Sequence, residues 1–170
     1  MSTPSTPASP RALDLVAALD LEPHPEGGWF RRTWTAPARV DTANGERATA
    51  SAILFLLDED MEAAWHVVRS DELWLWHGPG RLEIDLGGTG DAPAEPRRVV
   101  LASPVPASPI DEGAAGARGT GATDASNPVQ LLVPAGVWQR TVARGGPALA
   151  TCVVSPEFSY EDWKLAEDDA

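Results

Sequence analysis

The sequence predicts an all-β fold, a barrel or sandwich of short strands behind one short helix. Sixteen Pro and fifteen Gly in 170 residues favour many turns over long helices. Apolar residues recur with period two, or in short unbroken runs, at about nine places along the chain. No stretch of helical period is long enough to compete, and the length suits one domain with a real core.

Each element follows from local chemistry. Residues 1–10 hold little that can pack and are expected to be a disordered tail. At its end Ser9 caps a helix that has Pro10 in its first position. Leu13, Val16 and Leu19 form the apolar stripe of that helix, which must end by Pro23. The segment Pro23-His24-Pro25-Glu26-Gly27-Gly28 is a rigid turn into the run Trp29-Phe30-Arg31-Arg32-Thr33-Trp34. Residues 36–46, with Pro37, Asn44 and Gly45, read as a hairpin connection. Ser51–Leu57 is apolar on both faces, so it is a strand covered from both sides. Residues 63–69 alternate and place Ala64, His66 and Val68 on one face. Glu72, Trp74 and Trp76 share a face of the next strand, and Leu82, Ile84 and Leu86 a face of the one after. Strands at 99–101, 129–133, 137–143 and 149–154 complete the set. Residues 102–127 are almost wholly Ala, Gly, Pro, Ser and Thr, expected to be a flexible insertion rather than a lid. The domain proper is then 11–166, and 167–170 form an acidic tail.

Composition excludes several functions. A formal net charge of −12 argues against nucleic acid and anionic membranes as partners. No run approaches the roughly 18 apolar residues of a membrane span, and the N-terminus lacks a secretory core. Cys152 is the only cysteine, so no internal disulfide can form and a cytoplasmic location is the default. No nucleophile elbow, Walker loop, dinucleotide fingerprint or Cys-x-x-Cys occurs. Arg31, Arg32, Arg39 and Arg47 crowd together. Surface solvation is the ordinary reading, and a fork clamping a ligand phosphate or carboxylate the sharper one.

His66 is the leading candidate for chemistry. It stands on an apolar face, and Glu72 follows across a tight Ser70-Asp71 turn. A carboxylate near a buried imidazole raises its basicity and fixes its tautomer, which suits proton abstraction or metal ligation. Glu72, beside Trp74 and Trp76, must be paired if it is buried. His66 and Glu72 are therefore the catalytic candidates. Candidate ligand contacts are Gln139, through its amide, His24 and Glu26 in the proline turn, Arg31, and Trp74 and Trp76 as stacking surfaces. His77 is a lesser one, because strict alternation turns it away from the face of Glu72.

Five segments in order carry a resemblance. They are Leu21-Glu22-Pro23-His24-Pro25-Glu26-Gly27-Gly28-Trp29-Phe30-Arg31, Ala52-Ile53-Leu54-Phe55-Leu56-Leu57, Trp65-His66 through Glu72-Leu73-Trp74, Val133-Pro134-Ala135-Gly136-Val137-Trp138-Gln139, and Phe158-Ser159-Tyr160-Glu161-Asp162-Trp163. Over about residues 12–165 the chain resembles the DUF985 (cupin-5) family of the cupin superfamily. The resemblance implies a double-stranded β-helix, the cupin jelly-roll barrel, usually paired as a homodimer. It also likens the pocket to that of metal-independent nucleotide-sugar 3,5-epimerases, in which a His abstracts a proton beside a keto group; carried over, His66 would be that base. The full cupin motifs supply His, His and Glu, then another His, to a divalent metal. Here His66 and Glu72 keep their places, while Val68 and Gln139 stand where the other two His would be. No metal or other cofactor is firmly expected, and a metal on His66, Glu72 and Gln139 would be weakly held. Arg32 stands where the family usually has an acidic residue, and the 102–127 insertion is longer than the usual connection.

The expectation is an epimerase- or isomerase-like enzyme acting on a small polar metabolite inside the barrel, a sugar derivative being one option. A non-catalytic binding cupin and a metal-dependent cupin enzyme are the alternatives. A second ionisable group about 3 Å across the pocket from His66 would favour the enzyme, and an apolar far wall the binder. A homodimer is expected on burial grounds too, because one small barrel has one interior while Ser51–Leu57 is apolar on both faces.

Overall fold

The computed structural model describes residues 8–104 and 129–166. Residues 1–7 of the expected N-terminal tail, the insertion from residue 105 onward and the expected acidic tail 167–170 lie outside the described residues. Helix α1 (Pro10–Leu19) starts where the Ser9 hydroxyl accepts the Ala12 N–H at 3.2 Å. Asp20, in the left-handed region, ends it. Its packed side differs from the expected stripe: Ala12 is fully buried, whereas Leu13 is 51% exposed. Ser9 donates to the Asp58 carboxylate and draws the first turn close, so the smallest side chain takes the contact and Leu13 is turned outward.

The strands are β1 (Glu22–Pro23), β2 (Trp29–Thr35), β3 (Arg39–Thr42), β4 (Gly45–Ala48), β5 (Ser51–Leu57), β6 (Glu62–Val68), β7 (Asp71–Leu86), β8 (Arg97–Leu101), β9 (Gln130–Val133), β10 (Trp138–Ser155) and β11 (Trp163–Leu165). Strands β3 and β4 form the hairpin expected around Asn44-Gly45. The other nine form one antiparallel sheet in the order β1-β2-β5-β10-β6-β11, with β7 bonded to β10, β8 and β9. The fold is an all-β jelly roll with a short N-terminal helix.

Four of the expected strands join into two. Residues 72–76 and 82–86 are one strand of 16 residues, and 138–143 and 149–154 belong to one of 18, which starts one residue later than expected. The Gly and Pro between them bend the strands instead of ending them. Pairing of β10 with β7 shifts register between Arg144 and Ala148. At the crossing, a Cβ on Gly80 would lie 2.2 Å from the Gly146 carbonyl oxygen, so only glycine permits the approach. Each long strand thereby serves both ends of the barrel. Leu82, Ile84, Val99, Leu101 and Ala143 fill one end, and Phe55 and Trp74 pack edge to face at 5.7 Å nearer the other.

Strand β5 is buried as expected, but the chain supplies part of the cover itself. Helix α1 packs on β5, and Leu56 is fully buried outside the interior cluster.

Candidate active site

A cavity of about 250 Å³ opens at the second end of the barrel. The turn before β2, the β6–β7 corner, the end of β10 and residues 158–163 wall it. Phe30, Ile53, Val68, Val154 and Phe158 give it apolar sides. His24, Glu26, His66, Glu72 and Cys152 face it as well, with Arg32, Tyr160 and Trp163.

His66, on β6, is 2% exposed. Its Nδ1 lies 2.8 Å from the Ala64 carbonyl oxygen. A carbonyl only accepts, so in the neutral ring Nδ1 carries the proton and Nε2 keeps a lone pair. Nδ1 makes the hydrogen bond that the ring forms among the described residues, and Nε2 makes none. Burial lowers the pKa of the ring, against the opposing pull of Glu72 and the Ala64 carbonyl. The imidazole is therefore neutral at pH 7, a base with a free lone pair.

The carboxyl nearest that ring belongs to Glu26. Its Oε2 lies 3.2 Å from His66 Nδ1 and accepts the Trp163 indole N–H at 3.3 Å. Its Oε1 lies 3.7 Å from His24 Nδ1. Burial pushes the Glu26 carboxyl up to about 8, with the Trp163 hydrogen bond working the other way. His24 Nδ1 accepts the Glu26 backbone N–H at 3.4 Å, so its neutral ring is protonated on Nε2. Burial, helped by His66, pushes that imidazole down to about 4. The turn is pinned by His24 N–H to Gly28 O, Gly27 N–H to His24 O and Ala64 N–H to Glu26 O. A Cβ on Gly27, at φ +112°, would stand 2.2 Å from the Glu62 carbonyl oxygen. Only glycine lets the turn press this close to β6.

Glu72 is engaged elsewhere. Its Oε2 accepts from the Gln139 amide at 2.5 Å, and the Cys152 thiol is a second hydrogen-bond partner. Burial raises the Glu72 pKa, partly opposed by His66. The Trp74 indole donates to Gln139 Oε1 at 3.1 Å, which fixes the amide so that its NH₂ group meets Glu72. Both polar atoms of Gln139 are bonded inside the chain and it is not among the lining residues, so it braces Glu72 instead of touching a ligand. Other expected contacts also lie off the cavity. Trp74 is 1% exposed and belongs to the core, and Trp76 packs against that core while donating to the Gly80 carbonyl at 2.6 Å. His77 is on the outside, 2.7 Å from the Thr151 hydroxyl. Arg31 is exposed on the other face of β2 from Phe30, and it is Arg32 that reaches the mouth.

The donor set does not suit a metal ion. Among the described residues no three His, Cys, Asp or Glu are placed to hold one. The Gln139 oxygen, which would have to ligate, is bonded to the Trp74 indole.

Tyr160 and Trp163 were not among the expected site residues, and Arg32 was expected only as one of four arginines that could clamp a ligand. Tyr160 is half exposed at the rim, roughly parallel to His24 and edge-on to Trp163. Burial, then Glu26 and Glu22, push its phenol upward, so it keeps its proton. The aromatic run 158–163 was the available signal for Tyr160 and Trp163, and even spacing from Phe30 was the signal for Arg32.

A family model described as cupin superfamily (DUF985) matches residues 13–166, and the chain belongs to that family. A crystal structure of a protein from Shewanella oneidensis is 28% identical with a TM-score of 0.68, over 89% of this chain and 82% of that one. A hypothetical protein from Leishmania major is 24% identical with a TM-score of 0.68, over 90% of this chain and 85% of that one. A dTDP sugar isomerase from Desulfovibrio desulfuricans is 14% identical with a TM-score of 0.50, over 83% of this chain and 85% of that one. No curated protein matches in sequence. No helix among the described residues is long and apolar enough to cross a membrane.

Proposed function

We propose that the protein is an isomerase- or epimerase-like enzyme that moves a proton on the carbon beside a carbonyl of a small polar ligand. The observation that carries this reading is His66, whose Nδ1 proton is held by the Ala64 carbonyl while Nε2 is left unbonded in a walled cavity. In the reaction Nε2 takes the proton of the α-carbon, and the C–H electron pair moves into the carbonyl to give an enolate. The imidazolium so formed lies 3.2 Å from Glu26 Oε2, and its charge favours ionisation of that carboxyl. The Tyr160 phenol, which keeps its proton, lines the same space and is the O–H donor available to the enolate oxygen. Return of the proton to the other face or the neighbouring carbon gives the epimer or isomer. A titratable carboxyl this close to His66 favours an enzyme over a passive binder. A dTDP sugar isomerase uses a similar fold, which is compatible with this chemistry without selecting it.

Solvent exchange tests the reading. In D₂O the protein should exchange the α-proton of a bound carbonyl compound, followed by proton NMR across a panel of free aldoses and ketoses. Replacing the base, His66→Gln, should slow exchange by roughly 10²–10⁴-fold while the amide spectrum stays folded. A ligand that saturates the cavity but never exchanges would count decisively against it.

A further inference from the structure

We propose that the cavity takes its carbonyl ligand uncharged, as a free compound of about monosaccharide size, and rejects phosphorylated or nucleotide-linked forms. This names the substrate class of the reaction above and rests on that reading. An anionic handle needs a guanidinium or ammonium with free donors. Among the described residues Arg32 is the only Arg or Lys lining the cavity; its charge is answered by Glu157, and three of its five N–H donors are bound within the chain. Nη1 donates to Glu157 Oε1 at 2.8 Å and to the Thr35 hydroxyl at 3.4 Å, and Nη2 to the Phe158 carbonyl at 3.3 Å. Glu157 cannot readily swing away. Its other oxygen accepts the Ala48 N–H at 3.0 Å and lies 3.6 Å from Arg39.

The remaining polar lining opposes an anion. Glu22, Glu26 and Glu72 face the same space, and none has an Arg or Lys partner among the described residues. Each that ionises repels a phosphate. Burial keeps both imidazoles neutral in the resting site, and His24 Nδ1 is taken up in accepting the Glu26 backbone N–H, so neither replaces the missing cation.

Size points the same way. About 250 Å³ is below the roughly 300–1,000 Å³ of pockets that enclose drug-sized ligands. A nucleoside diphosphate would extend outside the mouth, past Glu22 and over a chain of net charge −12.

Binding to the full chain is followed through the His24 and His66 ring resonances by NMR, using matched pairs. The pairs are dihydroxyacetone, D-fructose and D-glucose, each against its monophosphate, with dTDP-glucose alongside. At least one neutral member should saturate, with its phosphate weaker by about tenfold or more and dTDP-glucose silent. A phosphate or dTDP-glucose that binds as tightly as the neutral compounds overturns the proposal, and so does saturation by no neutral member. Glu157→Gln, which releases the fork of Arg32, should narrow the gap several-fold, and an unchanged gap in that folded variant removes the argument. Because these arms read binding and the deuterium assay reads turnover, either result can fail while the other stands.

Discussion

Asp85 and Glu26 are both nearly sealed from water, at 1% and 9% exposure, yet the fold treats them in opposite ways. Asp85, on the outer face of β7, receives Arg98 at 2.7 and 2.9 Å and Arg140 at 2.7 Å. The Arg98 hydrogen bonds hold its carboxyl below the usual range, ahead of the burial that pushes the other way. Among the described residues no Arg or Lys pairs with Glu26, so burial wins and its carboxyl is pushed up to about 8. A compensated carboxylate ties strands β7, β8 and β10 together. An uncompensated carboxyl stores a proton beside an imidazole. Burial alone therefore does not mark a functional acid; burial without a countercharge does.

Removing Asp85 should have the largest effect on stability. Asp85→Ala leaves Arg98 and Arg140 facing each other without their shared anion. Breaking a buried pair costs about 3–5 kcal/mol, but these guanidinium groups retain partial hydration, so roughly 2–4 kcal/mol is expected. Urea denaturation measures it, and a loss under about 1 kcal/mol would show that Asp85 is not the tie described.

Glu26→Gln should act in the other direction. Between about pH 4.5 and 8 Glu26 is protonated in the folded chain and ionised in the unfolded one. The unfolded state then binds fewer protons, so stability falls as pH rises through that window. Gln removes a penalty of up to about 4 kcal/mol at pH 8, less the cost of burying its own amide, so it should stabilise the protein on the order of 2 kcal/mol there, with the gain shrinking toward pH 5. Exchange chemistry should slow at the same time, since His66 loses its titratable neighbour. His24 has the reverse sign. Neutral when folded down to about 4 and protonated when unfolded below about 6.5, it contributes stability that is lost as pH falls from 6.5 to 4. Parent and variant compared at pH 5, 6.5 and 8 separate the two groups, and a parent curve that climbs between 6.5 and 8 contradicts the assignment to Glu26.

Much of this contrast was only half legible in the sequence. Period-two patterning located the strands and put His66 on an inward face, because alternation is a local property. The bends at Gly78–Gly80 and Gly145–Pro147 read as strand ends, since Gly and Pro announce a change of direction without saying whether the ladder continues. Glu26 lies in a turn, where no period exists. Its importance comes from Trp163, 137 residues away, and from Ala64 and His66 on β6. Gln139 sat at the right place for a ligand contact, but the Trp74 indole that consumes its oxygen could not be foreseen from spacing. Arg32 over Arg31 was readable, because Phe30 fixes which residues of β2 turn inward.

The smallest predicted effect is also the sharpest test of what compensation means. Arg98→Gln removes one of the two cations from Asp85 and leaves Arg140 at 2.7 Å. The Arg98 side chain is 42% exposed, so its share is discounted for solvent screening to about 1 kcal/mol, shrinking further as salt is added. The Asp85 carboxyl, followed by carbon-13 titration, should rise toward its ordinary range and stop there, because Arg140 still answers its charge. Glu26 should not move, since nothing links the two sites except the shared barrel. If Asp85 instead climbed to where Glu26 stands, a single remaining cation would be insufficient. The contrast would then be one of how many countercharges a buried carboxyl has, and not of whether it has any.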